Sequence, residues 1–203
     1  VYDALEAGVL EEIRVADMEE NVGKLDDVIY VTKDSVYAYQ IKWSNVDAEM
    51  SYSSFKTLIP EIVDGWRKLR ILYSDKTIYP YLLTNRSLTD GDDTIKKLAG
   101  KGAGGFKAYD KEVLIGLKNG EQPGDKWINA LTELSDISTL TAEEWNDFWR
   151  VFSFLHDYKK ERIEVSRLYE NQRIFDIICI NRMIQEMAGN KGFQIKLTVR
   201  EII

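Results

Sequence analysis

The chain has 203 residues, 44% of them hydrophobic and 30% charged, with a net charge of −7, which suits one large domain with a real core and excludes a disordered tail. That acidity excludes a protein that coats nucleic acid nonspecifically, although it leaves room for a nuclease, because a local basic rim acts within roughly 8 Å whatever the distant faces carry. No apolar run of about eighteen residues occurs, so neither a membrane span nor a signal peptide is expected, and a single cysteine, Cys179, excludes a disulfide framework or cysteine-rich zinc site and suits a reducing, cytoplasmic setting.

Residues 2–7 read as the tail of a helix stopped at Gly8, and Ile13 and Val15 alternate with Glu12 and Arg14 as in a short strand. Lys24 to Val31 and Val36 to Lys42 then read as a β-hairpin, with Asp26 and Asp27 opening one strand and Gln40-Ile41-Lys42 closing the next. Gln40 and Lys42 must share a face, and antiparallel pairing can bring them beside the carboxylates. Phe55, Leu58, Ile59, Ile62, Val63, Trp66 and Leu69 recur at helical spacing, so an amphipathic helix is predicted against the sheet. Pro60 predicts that its regular part either begins there or is kinked. Thr77 to Thr84 has strand composition, and Pro80 predicts an edge or a bulge.

From Ser87 to Gln122 the pattern reads mostly as loop, with the run Gly100 to Gly105 between a short basic helix and an ambiguous Glu112 to Leu117 segment. Beyond Pro123 helices are predicted at Lys126 to Leu134, Ala142 to His156 and about Glu164 to Met187, the second capped by Thr141-x-x-Glu144. Gly189 and Gly192 stop the third, and Phe193 to Leu197 reads as a last short strand. The expected organisation is an α/β part over residues 1–122 and a helical extension of the same domain over 123–203, without internal repeats. Thr198-Val199-Arg200-Glu201 again has capping-box spacing. A portion of a longer protein is one expectation from it, a short terminal helix the other.

A cation such as Mg²⁺ takes hard oxygen ligands, often one or two carboxylates with waters and substrate phosphate. Asp26 or Asp27 can supply the carboxylate, the Gln40 amide oxygen and the Ile41 carbonyl can add neutral ligands, and Lys42 can orient a water or stabilise charge on a phosphate. Spacing alone favours an ordinary solvated hairpin. The tripeptide is also cheap, since Gln194-Ile195-Lys196 repeats it without an acidic strand start before it.

Four segments add to this pattern. Asp26-Asp27-Val28-Ile29, Tyr39-Gln40-Ile41-Lys42-Trp43-Ser44, Gly65-Trp66-Arg67-Lys68-Leu69-Arg70 and Leu82-Leu83-Thr84-Asn85-Arg86 resemble, in order and spacing, the PD-(D/E)XK nuclease superfamily. The nearest likeness is to Mrr-like and CBASS-type double-stranded DNA endonuclease domains at the N-terminus of bacterial antiviral STAND NTPases. It spans roughly residues 5–90, the helical remainder agreeing only in general pattern.

The resemblance implies a restriction-endonuclease-like mixed α/β sheet flanked by helices, with a mainly helical C-terminal portion. It implies Mg²⁺- or Mn²⁺-dependent cleavage of double-stranded DNA, homo-oligomerisation on activation, and fusion to an NTPase domain in an antiviral defence protein. Its site maps onto Asp27, or its neighbour Asp26, with Gln40, Ile41 and Lys42. Gln40 stands where many members carry Asp or Glu, which lowers the carboxylate count. A catalytically silent domain of the same fold, used for oligomerisation or partner sensing, is the alternative.

Other candidates have plainer readings. Glu6 and Glu12 are the options for a further acid, though surface charge explains them better. Gly100, Gly102 and Gly105 match G-x-G-x-x-G but follow a helix, so a flexible loop is expected, in which Lys101 and Lys107, with Lys96 and Lys97 nearby, could touch DNA phosphates. His156, the only histidine, suits a helix end or packing. Trp66, Trp145 and Trp149 suit the core, whereas Trp43 beside Lys42 suits a substrate groove.

Overall fold

The computed structural model describes residues 9–15, 22–44, 46, 48–100, 102–158 and 195–198. Three strands, β1 (Leu10–Val15), β2 (Val28–Thr32) and β3 (Ser35–Lys42), form an antiparallel meander. After the two-residue β4 (Glu49–Met50), helix α1 (Tyr52–Leu72) crosses over to β5 (Thr77–Thr84), which pairs parallel with β3 along its whole length. A helical crossover is the connection that parallel neighbours require. The short β6 (Ser87–Leu88) pairs with β4, β7 (Ser153–Leu155) adds parallel to β5, and β8 (Ile195–Thr198) adds antiparallel to β1. The six-stranded mixed sheet therefore runs β7-β5-β3-β2-β1-β8.

Alternation along the strands decides what each face meets. Ile29, Val31, Val36, Ala38, Ile78 and Leu82 are buried on the face that packs with Phe55, Ile59, Ile62, Val63, Trp66 and Leu69 of α1. The other face carries a tyrosine ladder, with ring centroids 4.5 Å apart for Tyr30 and Tyr37, 5.1 Å for Tyr37 and Tyr79, and 4.6 Å for Tyr39 and Tyr81. Burial pushes the Tyr39 hydroxyl pKa far up, and the neighbouring tyrosines add to this.

The remaining helices are α2 (Asp93–Leu98), α3 (Phe106–Tyr109), α4 (Ile115–Asn119), α5 (Ile128–Ser138) and α6 (Ala142–Val151). Trp127, Ala130, Leu134, Phe148, Trp149 and Phe152 share one hydrophobic cluster with α1 and the sheet, so residues on both sides of Pro123 build one core. No described helix is long and apolar enough to cross a membrane.

Several sequence expectations change. Helix α1 starts well before Pro60, at Tyr52, because the Ser51 side chain caps it by accepting the Ser54 N–H at 3.2 Å. Pro80 lies inside β5, one residue before β7 begins to pair at Tyr81, where that side of the strand is still an edge. The stretch expected to be mostly loop contains α3, a π-helical turn at Asp110–Leu114 and α4 in continuous succession, burying Phe106, Tyr109, Val113 and Leu114. The π turn breaks the 3.6-residue period by which a helix is read from sequence. Finally, α6 stops at Val151 instead of reaching His156, and residues 153–155 extend the sheet. The expected helices over 2–7 and about 164–187 lie outside the described residues, as do Glu6, Lys101, Cys179, Gln194 and residues 199–201.

Candidate functional site

The segment entering β2 is fixed by a close backbone contact. A Cβ on Gly65 of α1 would come within 3.0 Å of the Val22 carbonyl oxygen and 3.1 Å of Leu25, whose side chain is fully buried. Gly23, at φ +65°, would likewise press on the Gly65 Cα at 3.0 Å. This glycine-to-glycine approach holds the lead-in to Asp26 and Asp27 against α1.

Strand β2 begins at Val28, opposite Tyr39, so the last residues of β3 run past it. Asp27 fills the gap. Its Oδ2 accepts the Ile41 backbone N–H at 2.6 Å and a second hydrogen bond from Gln40 Nε2. Asp27 is therefore the aspartate that faces the Gln40-Ile41 segment, a choice that strand alternation alone left open. Gln40 is buried, on the same face as Val36 and Ala38, and Lys42 follows two residues later on that face. Burial and the adjacent Asp27 charge raise the Asp26 pKa, while its own backbone N–H, Lys24 and Lys42 draw it down.

The ends of β3 and β5 are joined beyond their ladder by the Thr84-Asn85-Arg86 segment. The Thr84 hydroxyl donates to the Lys42 carbonyl at 2.7 Å, and the Asn85 side chain pairs with both backbone groups of Ser44, at 2.9 and 2.7 Å. Trp43, 43% exposed, is thereby held at the rim of an open cleft of about 320 Å³ lined by Ile41, Lys42, Ser54, Thr57 and Arg86. Neither Lys42 nor Arg86 has an ion-pair partner among the described residues. Among the described residues Arg86 Nε is moreover buried without a hydrogen-bond acceptor.

The donors fit a hard divalent cation in kind. Both bonds to Asp27 end on Oδ2, which leaves Oδ1, together with the Asp26 carboxylate, the Gln40 amide oxygen and the Ile41 carbonyl, for a cation that keeps some of its waters. Among the described residues no three or more His, Cys, Asp or Glu side chains gather as a metal cluster. A cation here would rest on at most two carboxylates.

The other candidates lie elsewhere. Lys107 pairs with Asp90 at 3.1 Å, and Glu12 pairs with Arg14 on β1, opposite Val31 and away from the start of β2. In the glycine run, Gly100 N–H donates to the Lys126 carbonyl at 2.6 Å, and a Cβ on Gly105 would collide with the Asp90 carbonyl oxygen at 2.1 Å. These glycines serve close packing. Trp66 and Trp149 are in the core with Trp145 packed against it, and Lys196 sits on β8 at the far edge of the sheet. His156 follows β7 and bridges two carboxylates, Asp110 of the π turn at 3.3 Å and Asp157 at 2.6 Å. Sequence reasoning missed Arg86 as a cleft residue, although the Thr-Asn-Arg segment that carries it stood out.

No protein-family model matches the chain, and no curated protein matches it in sequence.

Proposed function

We propose that the protein is a Mg²⁺- or Mn²⁺-dependent endodeoxyribonuclease of the PD-(D/E)XK type that hydrolyses phosphodiester bonds of double-stranded DNA. The observation that carries this reading is the convergence of Asp27 with Gln40 and Ile41, with Lys42 next on the Gln40 face. The β1-β2-β3 meander followed by α1 and a parallel β5 supports a restriction-endonuclease-like arrangement. Asp27, Asp26, the Gln40 amide oxygen and the Ile41 carbonyl would hold the cation. When bound, it supplies Lewis-acid charge at the scissile phosphate and a more acidic water.

The protein's own groups do the positioning. Lys42 directs ammonium protons toward the attacking water and toward the phosphate oxygens on which charge develops. The water oxygen bonds to phosphorus as the P–O bond to the leaving sugar oxygen breaks, and a proton passes to that oxygen, giving a phosphate monoester and a hydroxyl end. In this reading the domain is the cytoplasmic effector of a larger antiviral protein, joined to an NTPase and active as a homo-oligomer.

One observation favours a silent domain of the same fold. Gln40, at the position of the usual second carboxylate, already donates its amide to Asp27. Plasmid cleavage with Mg²⁺, Mn²⁺ or EDTA separates the two readings. Metal-dependent nicking lost in Asp27→Ala and Lys42→Ala is expected, whereas cleavage unchanged in both variants removes this site from the mechanism.

A further inference from the structure

The cleft beside Lys42 holds a second cation, Arg86. The Arg86 backbone is fully engaged, its N–H donating to the Thr84 hydroxyl at 3.2 Å and its carbonyl accepting from Asp157 at 3.0 Å. Among the described residues its side chain has no ion-pair partner, and the buried Nε has no hydrogen-bond acceptor. Leaving a buried donor unmatched costs free energy, more so for a charged group. Partners were not scarce, for the chain has 34 acidic residues against 27 basic ones.

We propose that Arg86, with Lys42 and the Ser54 hydroxyl, is a phosphate grip that holds the DNA backbone beside the scissile position. Arg86 offers a planar set of donors suited to phosphate oxygens, and Lys42 a compact charge in the same cleft. Among the described residues Ser54 Oγ meets only Ser51 Oγ, at 3.1 Å, and can turn its proton into the cleft, whereas the Thr57 hydroxyl is spent on the Ser54 carbonyl at 2.8 Å. Exposed Trp43 at the rim gives the sugar-phosphate chain an apolar wall. The identity of the anion rests on the nuclease reading. The cleft, unlike the chemistry, needs no cation to bind it.

The test is fluorescence anisotropy of labelled duplex DNA in EDTA, as a function of salt, for the wild type, Arg86→Ala, Arg86→Lys and Arg150→Ala. Arg150 lines a different cleft, at the opposite end of β5. Arg86→Ala should weaken binding about five- to tenfold and lower the slope of log affinity against log salt by about one, since one phosphate contact is lost. Arg86→Lys should recover the slope and part of the affinity, and Arg150→Ala should stay within about twofold of the wild type. Arg86-dependent binding without cleavage in Mg²⁺ or Mn²⁺ supports the grip and sinks the nuclease reading. Cleavage by the wild type together with unchanged affinity and slope in Arg86→Ala overturns the grip alone. Equal losses in Arg86→Ala and Arg150→Ala, or no binding by the wild type, also overturn it.

Discussion

The Asp27 carboxylate takes the Ile41 N–H at 2.6 Å with the same oxygen that receives the Gln40 amide. A strand that outruns its neighbour leaves backbone donors without a ladder partner, and here a side chain closes the ladder. Asp27→Ala leaves both donors unsatisfied and should cost roughly 1–3 kcal/mol in urea unfolding. Asp27→Asn keeps an acceptor, so most of that stability should survive while DNA cleavage is lost. An Asp27→Asn protein that cuts like the wild type would take the carboxylate charge out of the mechanism.

Much of this arrangement is legible in the sequence. The two-residue period of Val36 to Gln40 and of Ile78 to Leu82 assigns β3 and β5 and their buried faces, and the Thr141 capping box with Glu144 forms as its spacing predicts. Strand alternation does not choose between Asp26 and Asp27. Asp27 is the one that meets Gln40 and the Ile41 N–H, on a segment packed against α1 by the Gly23–Gly65 approach, a contact between residues more than forty positions apart. Strand β7 was hidden for a related reason. The helical spacing of Trp145, Phe148, Trp149 and Phe152 runs up to its first residue, and pairing with the open side of β5 draws residues 153–155 into the sheet. In the Trp66-Arg67-Lys68-Leu69-Arg70 segment the visible side chains prove structural, with Trp66 and Leu69 in the core and Arg70 stacked 4.6 Å from the Trp66 ring.

Arg67, from that segment, makes a two-pronged ion pair with Glu144, Nε to Oε1 at 2.8 Å and Nη2 to Oε2 at 2.6 Å. Hydrogen bonding to Arg67 is the main reason the Glu144 pKa falls to about 2, with burial opposing and the Thr141 N–H assisting. A carboxylate lowered on folding adds stability above its unfolded pKa and loses it as pH falls toward the folded value. Both side chains are partly exposed, so solvent screening holds the gain to about 1 kcal/mol. Glu144→Gln should therefore be less stable than the wild type at neutral pH, and the gap should close as pH drops from about 4.5 to about 2. A gap that stays constant across that range in urea titrations would contradict the assignment.

His156 gives the opposite slope. Its pKa is raised, chiefly by the hydrogen bond to Asp110 and further by Asp157, against a lowering from burial. Asp110 is itself buried in the π turn, so the imidazolium gives that carboxylate a charged hydrogen-bond partner. A histidine raised on folding adds stability that is full below its unfolded pKa and is lost as pH rises through the folded one. His156→Gln should lose more stability at about pH 5.5 than at about pH 9, as read by thermal unfolding at both. Equal losses would mean that the ring acts by packing against Phe154 alone.

Gly65 links helix packing to the candidate site. A side chain there meets backbone at the Val22 carbonyl, and the displaced segment carries Asp26 and Asp27. Helix propensity works the other way, favouring a non-glycine residue inside α1 by up to about 1 kcal/mol. For alanine the two effects are comparable, since its Cβ asks the Val22–Leu25 turn to yield by only a few tenths of an ångström. Valine adds two methyl groups to a closed contact, so overpacking at roughly 1–3 kcal/mol should dominate. Gly65→Val should be less stable than the wild type and should lose cleavage more steeply than its folded fraction, because Asp27 moves off Ile41 even in molecules that remain folded. Cleavage that tracks the folded fraction of Gly65→Val would show that the β2 lead-in keeps its place without this contact.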